Sequence, residues 1–313
     1  MIVYFQKSVW CYSPLKETFP MVYILYNTFA GLHYGKDRLE SKMAELFPGE
    51  ETFYADVKTV DNKQVFVDAI TNEDKLVIVG GDGTLNHFVN EVEDRDYSFP
   101  IYCYAAGTGN DFVNDVAGVD NDVPVLINEY IRRLPVIEVK GETYKFINGI
   151  GYGIDGWCCE VGNKNRDKTG KTPNYTAIAL KGLLYAFKTV NAKITVDGVT
   201  REYKNCWMAP SMNGRYFGGG MMITPSQDRL NEARDLSVVA VHSKSRLKLL
   251  TVFPKIFKGG HVSHTDIFEV FTGKDVKVEF DRPVALQIDG ETILGVTEYT
   301  AKSHSLIKEE VTV

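Results

Sequence analysis

Three short β-prone runs set the pattern of this chain, because each leads into a turn rich in glycine or asparagine and then into a helical segment. The runs are Val22–Tyr26, Leu76–Val79 and Ile101–Ala106. The turns read NTFAG from Asn27, GGDGT from Gly80 and GTGND from Gly107. Strands that alternate with helices form parallel sheets covered on both faces, and ligands bind at the carboxyl edge of such sheets. The pattern therefore predicts an N-terminal α/β domain with a ligand site at these turns.

The segment after the GGDGT turn has the spacing of an amphipathic helix. Leu85, Phe88, Val89 and Val92 fall at i, i+3, i+4 and i+7, which is one helix face. A helix beginning near Leu85 would aim its free N–H groups and partial positive charge into the turn. Glycines let a backbone approach a ligand closely, because they tolerate positive φ and carry no Cβ. We therefore predict that this turn binds the phosphates of a nucleotide.

An aspartate within that turn needs its own explanation. Asp82 would repel a triphosphate unless a divalent cation lies between them, or unless its carboxylate accepts from a hydroxyl or an amide. Two interpretations stay open: Asp82 faces Mg²⁺, or it stabilises the turn by capping the following helix. The GTGND turn repeats the design one strand away, with Thr108 as a hydroxyl donor and Asp111 as a second carboxylate.

Past about residue 140 the alternation stops and β-type segments follow one another. They are Lys145–Tyr152, Lys193–Val199, Asn205–Ser211, Leu236–Val241, Val276–Phe280, Ala285–Ile288 and Gly295–Ala301. Asp197-Gly198 and Asp289-Gly290 are typical hairpin turns. Two helices are predicted among these strands, at Asn174–Val190 and Ser245–Lys258, the second basic, amphipathic and kinked by Pro254. The second domain is therefore predicted to be mainly antiparallel β.

Composition excludes several classes of protein. The chain has 313 residues, a net charge of −6 and no dense Lys/Arg block, which argues against a general nucleic-acid binder. Its five cysteines form no regular framework, which favours a reducing cytoplasm. No apolar run reaches the roughly 18 to 20 residues of a membrane-spanning helix. Residues 1–20, ahead of Met21, are interpreted as an N-terminal extension.

Taken together, the motifs resemble the catalytic domain of the diacylglycerol kinase and sphingosine kinase superfamily, in its bacterial soluble lipid kinase branch. The resemblance is carried by NTFAG at 27–31, GGDGTLN at 80–86, GTGNDF at 107–112, FINGIGYGIDG at 146–156 and IDGE at 288–291. They occur in family order over about residues 21–300. The resemblance implies an α/β domain like that of NAD kinases and phosphofructokinases over residues 21–140. A β-sandwich substrate domain would follow over 141–300, and the tail 301–313 would return to the first domain.

The resemblance also implies a set of site residues. ATP would contact Asn27, Thr59, Gly80, Gly81, Asp82, Gly83, Thr84, Asn86, Gly107, Thr108, Asn110 and Asp111. Mg²⁺ would bridge the phosphates and be held by Asp82, with Asp111 nearby. Glu291 would be the general base on the acceptor hydroxyl, in a closed and partly desolvated cleft. The acceptor would be diacylglycerol or a related lipid, reached by a cytoplasmic enzyme bound peripherally to a membrane.

The chain departs from the family pattern at several positions. Thr28 and Ala30 replace the proline and serine of the first turn. Bacterial relatives have a structural Mg²⁺ site around Asp-Gly-x-Leu-Asp, where this chain reads Ala233-Arg-Asp-Leu-Ser237, so Glu232 and Asp235 are the candidate replacements. An NAD kinase and a nucleotide-binding module without catalysis stay open as alternatives. The lipid acceptor and the oligomeric state, a homodimer included, stay open as well.

Overall fold

The computed structural model describes residues 20–28, 36–107, 109–119, 121–170 and 173–304. The first part of the chain is an α/β unit. Its elements are β1 (Met21–Tyr26), α1 (Lys36–Leu46), β2 (Glu51–Asp56), α2 (Lys63–Asp68), β3 (Lys75–Gly80), α3 (Asp82–Glu91), β4 (Ile101–Ala105), α4 (Asp111–Ala117), β5 (Val125–Leu126) and α5 (Asn128–Ile131). The sheet has the order β2-β1-β3-β4-β5, in which the first four strands are parallel and β5 runs antiparallel to β4.

The centre of this sheet is buried on both faces, as the sequence predicts. Leu76 and Ile78 of β3 face one apolar core, while Val77 and Val79 face the other. The predicted face of α3 packs into the first of these cores and is confirmed by the burial of Leu85, Phe88, Val89 and Val92. The helix begins at Asp82 rather than near Leu85, so Asp82, Gly83 and Thr84 of the turn belong to its first helical turn.

The second part of the chain is β-rich. Its elements are β6 (Val136–Val139), β7 (Glu142–Lys145), β8 (Gly149–Tyr152), α6 (Ile154–Thr169), α7 (Tyr175–Lys181), β9 (Val190–Val196), β10 (Val199–Met208), β11 (Ser211–Met212), β12 (Tyr216–Phe217), β13 (Met221–Met222), β14 (Leu236–His242), α8 (Arg246–Val252), β15 (Phe268–Gly273), β16 (Asp275–Ile288) and β17 (Glu291–Lys302). A π-helical turn, Gly182–Ala186, continues α7, and two 3₁₀ segments, Phe253–Lys258 and Gly260–Ser263, follow α8.

The strand β16 organises this second part. Its first half pairs with β9 and its second half with β8, while β17 runs along its other edge. Hydrogen bonds continue from β8 through β11, β14 and β10 back to β9, so the strands form one continuous sheet around the larger apolar core. The α/β domain followed by a β-rich domain, as predicted, is confirmed.

Three predicted elements differ in detail. Val276–Phe280 and Ala285–Ile288 belong to one strand, β16, whose register shifts between Glu279 and Val284, where Pro283 lies. A β-bulge accommodates a proline that removes a ladder donor. The helix predicted at Asn174–Val190 is α-helical only over Tyr175–Lys181. The helix α6, Ile154–Thr169, is not predicted by the sequence pattern.

Both ends of the chain lie outside the part that the structure describes. Of the predicted extension, residues 1–19 lie outside the described residues, as do residues 305–313 of the predicted returning tail. Nδ1 of His304 lies 3.8 Å from the Asp94 carboxylate of the first domain.

In the part of the chain that the structure describes, no helix combines the length and the apolar character needed to cross a bilayer.

Candidate active site

The two glycine-rich turns touch each other at the carboxyl ends of β3 and β4. A Cβ placed on Gly107 would lie 2.5 Å from Cα of Gly81, and one placed on Gly81 would lie 2.9 Å from Cα of Gly107. A Cβ on Gly80 would lie 2.5 Å from the Thr84 side chain. None of these three glycines has a positive φ. The glycines are therefore explained by close packing, and positive φ, which the sequence also suggested, plays no part at these positions.

The carboxylate of Asp82 joins three segments of the chain. Oδ2 accepts from the N–H of Asp111 at 2.9 Å, and Oδ1 accepts from the N–H of Phe112 at 2.8 Å. Oδ1 also accepts from Nδ2 of Asn148, in the second domain, at 3.0 Å. Asp82 thus caps a helix, but the helix is α4 and not its own helix α3. Its negative charge is stabilised by the N–H groups of the neighbouring turn.

Asp111 uses its carboxylate in the same manner, across the domain boundary. It is buried, and its two oxygens accept from the N–H groups of Gly219 at 2.8 Å and Gly220 at 2.6 Å. Burial, together with the neighbouring Asp82 charge, raises the pKa of Asp111 to about 7, although the two amides act in the opposite direction. Asn110, beside it, holds a left-handed φ of 52°, and its side chain bonds to the backbone of Gly107.

The first and second turns are joined by side chains. Nδ2 of Asn27 donates to Oγ1 of Thr84 at 3.0 Å, so two of the predicted nucleotide contacts lie together. Thr59 is exposed after β2, and its hydroxyl donates to the carbonyl of Asp56 at 2.9 Å. The hydroxyl of Thr28 donates to the Asp56 carboxylate at 2.9 Å, so its single O–H is used within the protein. Thr108 and Ala30 lie outside the described residues.

The hairpin between β16 and β17 is anchored on α3. Asp289 is buried and accepts from Nδ2 of Asn86 at 2.7 Å. It also accepts from the backbone N–H groups of Ile147, Asn148 and Gly149, at 2.6, 2.8 and 2.9 Å. Burial raises the pKa of Asp289 to about 6, while these four donors favour the carboxylate. Asn86, predicted to contact ATP, therefore has its amide at the domain interface.

Glu291 follows this turn and lies beside α3. Its Oε1 is 3.4 Å from Nε2 of His87, one residue beyond Asn86. The side chain of Glu291 is 62% exposed. The closed, partly desolvated cleft expected around this residue is thus not seen, because the hairpin tip faces solvent. Glu291 thus lies beside the helix that begins in the GGDGT turn, and its role as a base stays a prediction.

A second acidic side chain near this hairpin was missed in the sequence. Asp155, in the first turn of α6, accepts from Nε2 of Gln287 at 2.8 Å, and Oε1 of Gln287 accepts from the N–H of Gly290 at 2.5 Å. Burial raises the pKa of Asp155 to about 6. The segment FINGIGYGIDG contains this residue, so the family resemblance was the signal that could have identified it.

The domain boundary is crossed by a charged network that no sequence pattern indicated. Asp115 of α4 pairs with Arg229 and, at 2.5 Å, with Nε of Arg215. The Arg229 guanidinium also donates to Oδ1 of Asn148 at 2.5 Å and to the carbonyl of Ile147. Since Asn148 donates to Asp82, the network runs from the glycine turn to the second domain. Asp115 and Arg229 are both buried.

The stretch at 232–237 differs from the structural Mg²⁺ site that the family resemblance implies. Glu232 is exposed, and the backbone carbonyl of Asp235 accepts from Nε2 of Gln227 at 3.0 Å. The Ser237 hydroxyl donates to Oε1 of the same glutamine. Among the described residues, no group of three His, Cys, Asp or Glu side chains is placed to hold a metal ion.

Comparison with known proteins agrees with this architecture. Residues 21–139 match the diacylglycerol kinase catalytic domain, and residues 148–303 match the YegS C-terminal NAD kinase beta sandwich-like domain. A diacylglycerol kinase from Mycobacterium tuberculosis is 26% identical over 232 residues, which is 70% of each chain. The crystal structure of a diacylglycerol kinase from Bacillus anthracis superposes with a TM-score of 0.62 at 20% identity, over 92% of this chain and 96% of that one, and shows the same fold. With both domains matched in order, this chain belongs to the diacylglycerol kinase family of lipid kinases.

Proposed function

We propose that this protein is an ATP- and Mg²⁺-dependent kinase that phosphorylates a hydroxyl of diacylglycerol or a closely related lipid, with Glu291 as the general base. The observation that carries the proposal is the bond from Asn86 to Asp289. Because Asn86 belongs to the helix that starts in the GGDGT turn, this bond holds Glu291 beside the same helix. The likeness to named diacylglycerol kinases supports the substrate class.

ATP is proposed to place its phosphates at the first turn of α3. The first i→i−4 bond of this helix is made by the N–H of Leu85 to the carbonyl of Gly81, so the preceding amides are not used in the helix itself. A Cβ on Gly83 would meet nothing within 4 Å, so this glycine borders open space. Helix N-termini with accessible N–H groups bind phosphate. Asn27, Thr59, Thr84, Thr108 and Asn110 are proposed to complete the site.

We propose that Asp82 binds Mg²⁺ through a water molecule. Oδ2 of Asp82 accepts one N–H, which leaves it able to accept from a water molecule. Mg²⁺ in kinases keeps several waters and binds one or two carboxylates together with substrate phosphates. Asp82, with Asp111 close by, would therefore hold the ion through water. When bound, the ion neutralises the negative charge of the transferring phosphoryl group.

The protein's own part in the chemistry is positioning and proton transfer. The acceptor hydroxyl is proposed to lie between Glu291 and the γ-phosphate, where Glu291 takes its proton as the oxygen attacks phosphorus. The bond from phosphorus to the β,γ-bridging oxygen then breaks and ADP leaves. Since Glu291 is exposed, the bound lipid itself must exclude water from this carboxylate.

The test is Glu291→Gln, which keeps the shape of the side chain and removes the base. We expect phosphate transfer from radiolabelled ATP to dispersed diacylglycerol to fall about 100-fold or more, with ATP affinity unchanged. Glu298→Gln, on the same strand and also exposed, is the matched control and should keep full activity. Wild-type rates in Glu291→Gln would remove this residue from the mechanism.

The same assay separates the alternatives when NAD is added as an acceptor. Phosphate incorporated into NAD and into no lipid would assign the protein to the NAD kinases. A protein that binds ATP but phosphorylates neither acceptor would be a nucleotide-binding module. A lipid phosphorylation signal that disappears in Asp82→Ala would argue against that module.

A further inference from the structure

One face of α6 carries three polar side chains. Asp155, Cys159 and Asn163 are spaced i, i+4 and i+8, so they follow one another along a single side of the helix. All three are partly covered by the rest of the chain. We call these three residues the α6 stripe. Covered polar groups need hydrogen-bond partners, and those of the α6 stripe lie in the hairpin between β16 and β17.

Asp155 reaches the hairpin through Gln287 of β16. Oδ2 of Asp155 accepts from Nε2 of Gln287, and Oε1 of the same glutamine accepts from the N–H of Gly290. Gly290 directly precedes Glu291 in the chain. The backbone on the amino side of the candidate base is therefore tied to α6 through one side chain.

The other two residues of the α6 stripe reach the carboxyl side of the candidate base. Nδ2 of Asn163 donates to Oγ1 of Thr292 at 3.1 Å. Burial raises the pKa of the Cys159 thiol, and the Thr292 hydroxyl acts in the opposite direction, so this thiol also faces Thr292. Glu291 thus lies between two residues that are both bonded to groups on or behind α6.

Two glycines make room for the covered part of this arrangement. Gln287 is buried, and the residue opposite it on β8 is Gly151. A Cβ on Gly151 would lie 1.6 Å from Oδ2 of Asp155 and 2.6 Å from Nε2 of Gln287. A Cβ on Gly156 of α6 would lie 2.0 Å from the carbonyl oxygen of Ala285. The helix and the strands can therefore approach closely enough for Asp155 to bond to Gln287.

The hairpin between β9 and β10 has the same Asp-Gly turn but uses the corresponding positions differently. Gln287 and Thr292 lie opposite each other across their two strands, as Thr195 and Thr200 do in the other hairpin. The hydroxyls of Thr195 and Thr200 are exposed and bond to each other at 2.9 Å. Val199 stands at the position of the candidate base. The turn itself therefore forms without bonds from these two positions to a helix.

The candidate base and its neighbour point to opposite faces of β17. Side chains alternate along a strand, so Glu291 and Thr292 leave the hairpin on different sides. Thr292 bonds to α6, whereas Oε1 of Glu291 lies 3.4 Å from Nε2 of His87 on α3. The helix α6 thus holds the hairpin from behind, while the candidate base is on the side of the helix that begins in the GGDGT turn.

We propose that the α6 stripe positions Glu291 for proton transfer. The bonds to Gly290 and Thr292 fix the backbone on both sides of Glu291, so its carboxylate reaches the acceptor hydroxyl by side-chain rotation alone. Asp155 acts through Gln287 and is a positioning residue rather than a second base. The proposal deepens the proposed kinase function and rests on it for the role of Glu291.

The first test is Asp155→Ala, assayed for phosphate transfer to dispersed diacylglycerol. We expect kcat to fall about tenfold or more with KM for ATP unchanged, because the base is displaced while the nucleotide turns are not touched. Asp155→Asn should recover most of the rate, since its amide oxygen can still accept from Gln287. Glu160→Gln, which removes the charge that pairs with Lys164 on the same helix, is the matched control and should keep the wild-type kcat.

Gln287→Met breaks the same link from the strand. It should lower kcat as far as Asp155→Ala does, and it takes the place of that variant if Asp155→Ala fails to fold. A wild-type kcat in Gln287→Met would overturn the proposal.

The second test repeats Asp155→Ala in the Glu291→Gln protein. A residue that acts only through Glu291 has nothing left to position there, so the residual rate should stay within about twofold. A further fall of about tenfold would show that Asp155 contacts the acceptor or the phosphates itself, and positioning would then be wrong.

Hydrogen–deuterium exchange of the hairpin tests positioning without any substrate. In Asp155→Ala we expect the peptide that contains Gly290 to exchange about tenfold faster than in the wild type, and in Asp155→Asn to exchange at the wild-type rate. Equal exchange in all three proteins would contradict an ordering role of α6. If the wild type phosphorylates no lipid, the kinase function falls, and this exchange measurement alone decides whether α6 orders the hairpin.

Discussion

Gly81 and Gly83 stand two residues apart in one turn, yet they are glycines for opposite reasons. Gly81 faces the backbone of Gly107, and a Cβ there would lie 2.9 Å from the Cα of its neighbour. Gly83 faces open space, and a Cβ there would meet nothing within 4 Å. The fold requires the first glycine, whereas only a bound ligand would require the second.

Substitution by alanine should therefore separate the two glycines. In Gly83→Ala we expect the free energy of unfolding to rise by up to about 1 kcal/mol, because alanine favours a helix more than glycine does. We expect KM for ATP to rise about tenfold, because the methyl group occupies the path of the phosphates. Urea unfolding and steady-state kinetics measure both quantities.

Gly81→Ala supplies the contrast within the same turn. It should lose about 1 to 3 kcal/mol of unfolding free energy, since the two turns must move apart. An unchanged KM in Gly83→Ala would remove the phosphates from the first turn of α3.

The sequence around Asp82 does not indicate which helix its carboxylate caps. The sequence left two roles open, and the structure shows helix capping, but its amide donors lie 29 and 30 residues further along the chain. No local spacing can indicate which helix a carboxylate caps when the contact depends on two strands lying side by side. The role of Asp82 toward Mg²⁺ stays a prediction.

At the scale of elements, two hairpins with the same turn sequence differ in their surroundings. Asp197-Gly198 joins β9 to β10, and Asp289-Gly290 joins β16 to β17; both aspartates have a φ of 47°. Asp197 is exposed and accepts from the N–H groups of Lys274 and Asp275. Asp289 is buried and accepts from four N–H donors. The second hairpin is therefore a domain anchor as well as a turn.

The same substitution in both turns should reveal this difference. Asp289→Asn puts an amide NH₂ among four donors in a buried site, and we expect a loss of about 2 to 4 kcal/mol in unfolding free energy. Asn tolerates the left-handed conformation, so the backbone itself is not strained. Asp197→Asn, in solvent, should lose about 1 kcal/mol or less. Equal losses in urea unfolding would show that Asp289 acts only as a turn residue.

Sequence patterns predicted elements well where one face is apolar and poorly elsewhere. The face of α3 is predictable because the four apolar residues that pack on one side of the sheet recur in the sequence with helical spacing. The helix α6 was missed because its second half, Gly162–Thr169, is polar and carries no apolar period. The strand β16 was predicted as two strands because Pro283 interrupts it, and a bulge at this point is a tertiary feature.

At the scale of the whole molecule, the domains are joined by buried charge. Asp115 and Arg229 are 114 residues apart in sequence, and their pairing connects α4 to the second domain. The alternation of strands and helices, followed by β segments, was enough to predict both domains. The charged network was not predictable, because each residue looks like an ordinary surface residue until the domains are assembled.

Breaking this network should cost more than breaking a surface pair. We expect Arg229→Met to lose about 3 to 5 kcal/mol of unfolding free energy, since Asp115 keeps a buried charge with one partner fewer. The double variant Arg229→Met/Asp115→Leu should lose less than the sum of the single variants, with a coupling of about 1 to 3 kcal/mol. Urea unfolding of the four proteins completes the cycle.

An exposed pair gives the reference for this cycle. Arg132→Met removes the partner of Asp96 at the surface, 3.1 Å away, and should lose about 1 kcal/mol or less. Additive losses in the Arg229 and Asp115 variants would contradict a coupled network.

The contact between Gly81 and Gly107 also limits how the two motifs can be exchanged. Because each backbone fills the space where the other would need a side chain, the turns form a matched pair. A chimaera that takes GGDGT from one relative and the GTGND counterpart from another would place two turn backbones in contact that are not shaped to pack against each other. Grafting of this site into another scaffold should therefore move both strand ends as a single unit.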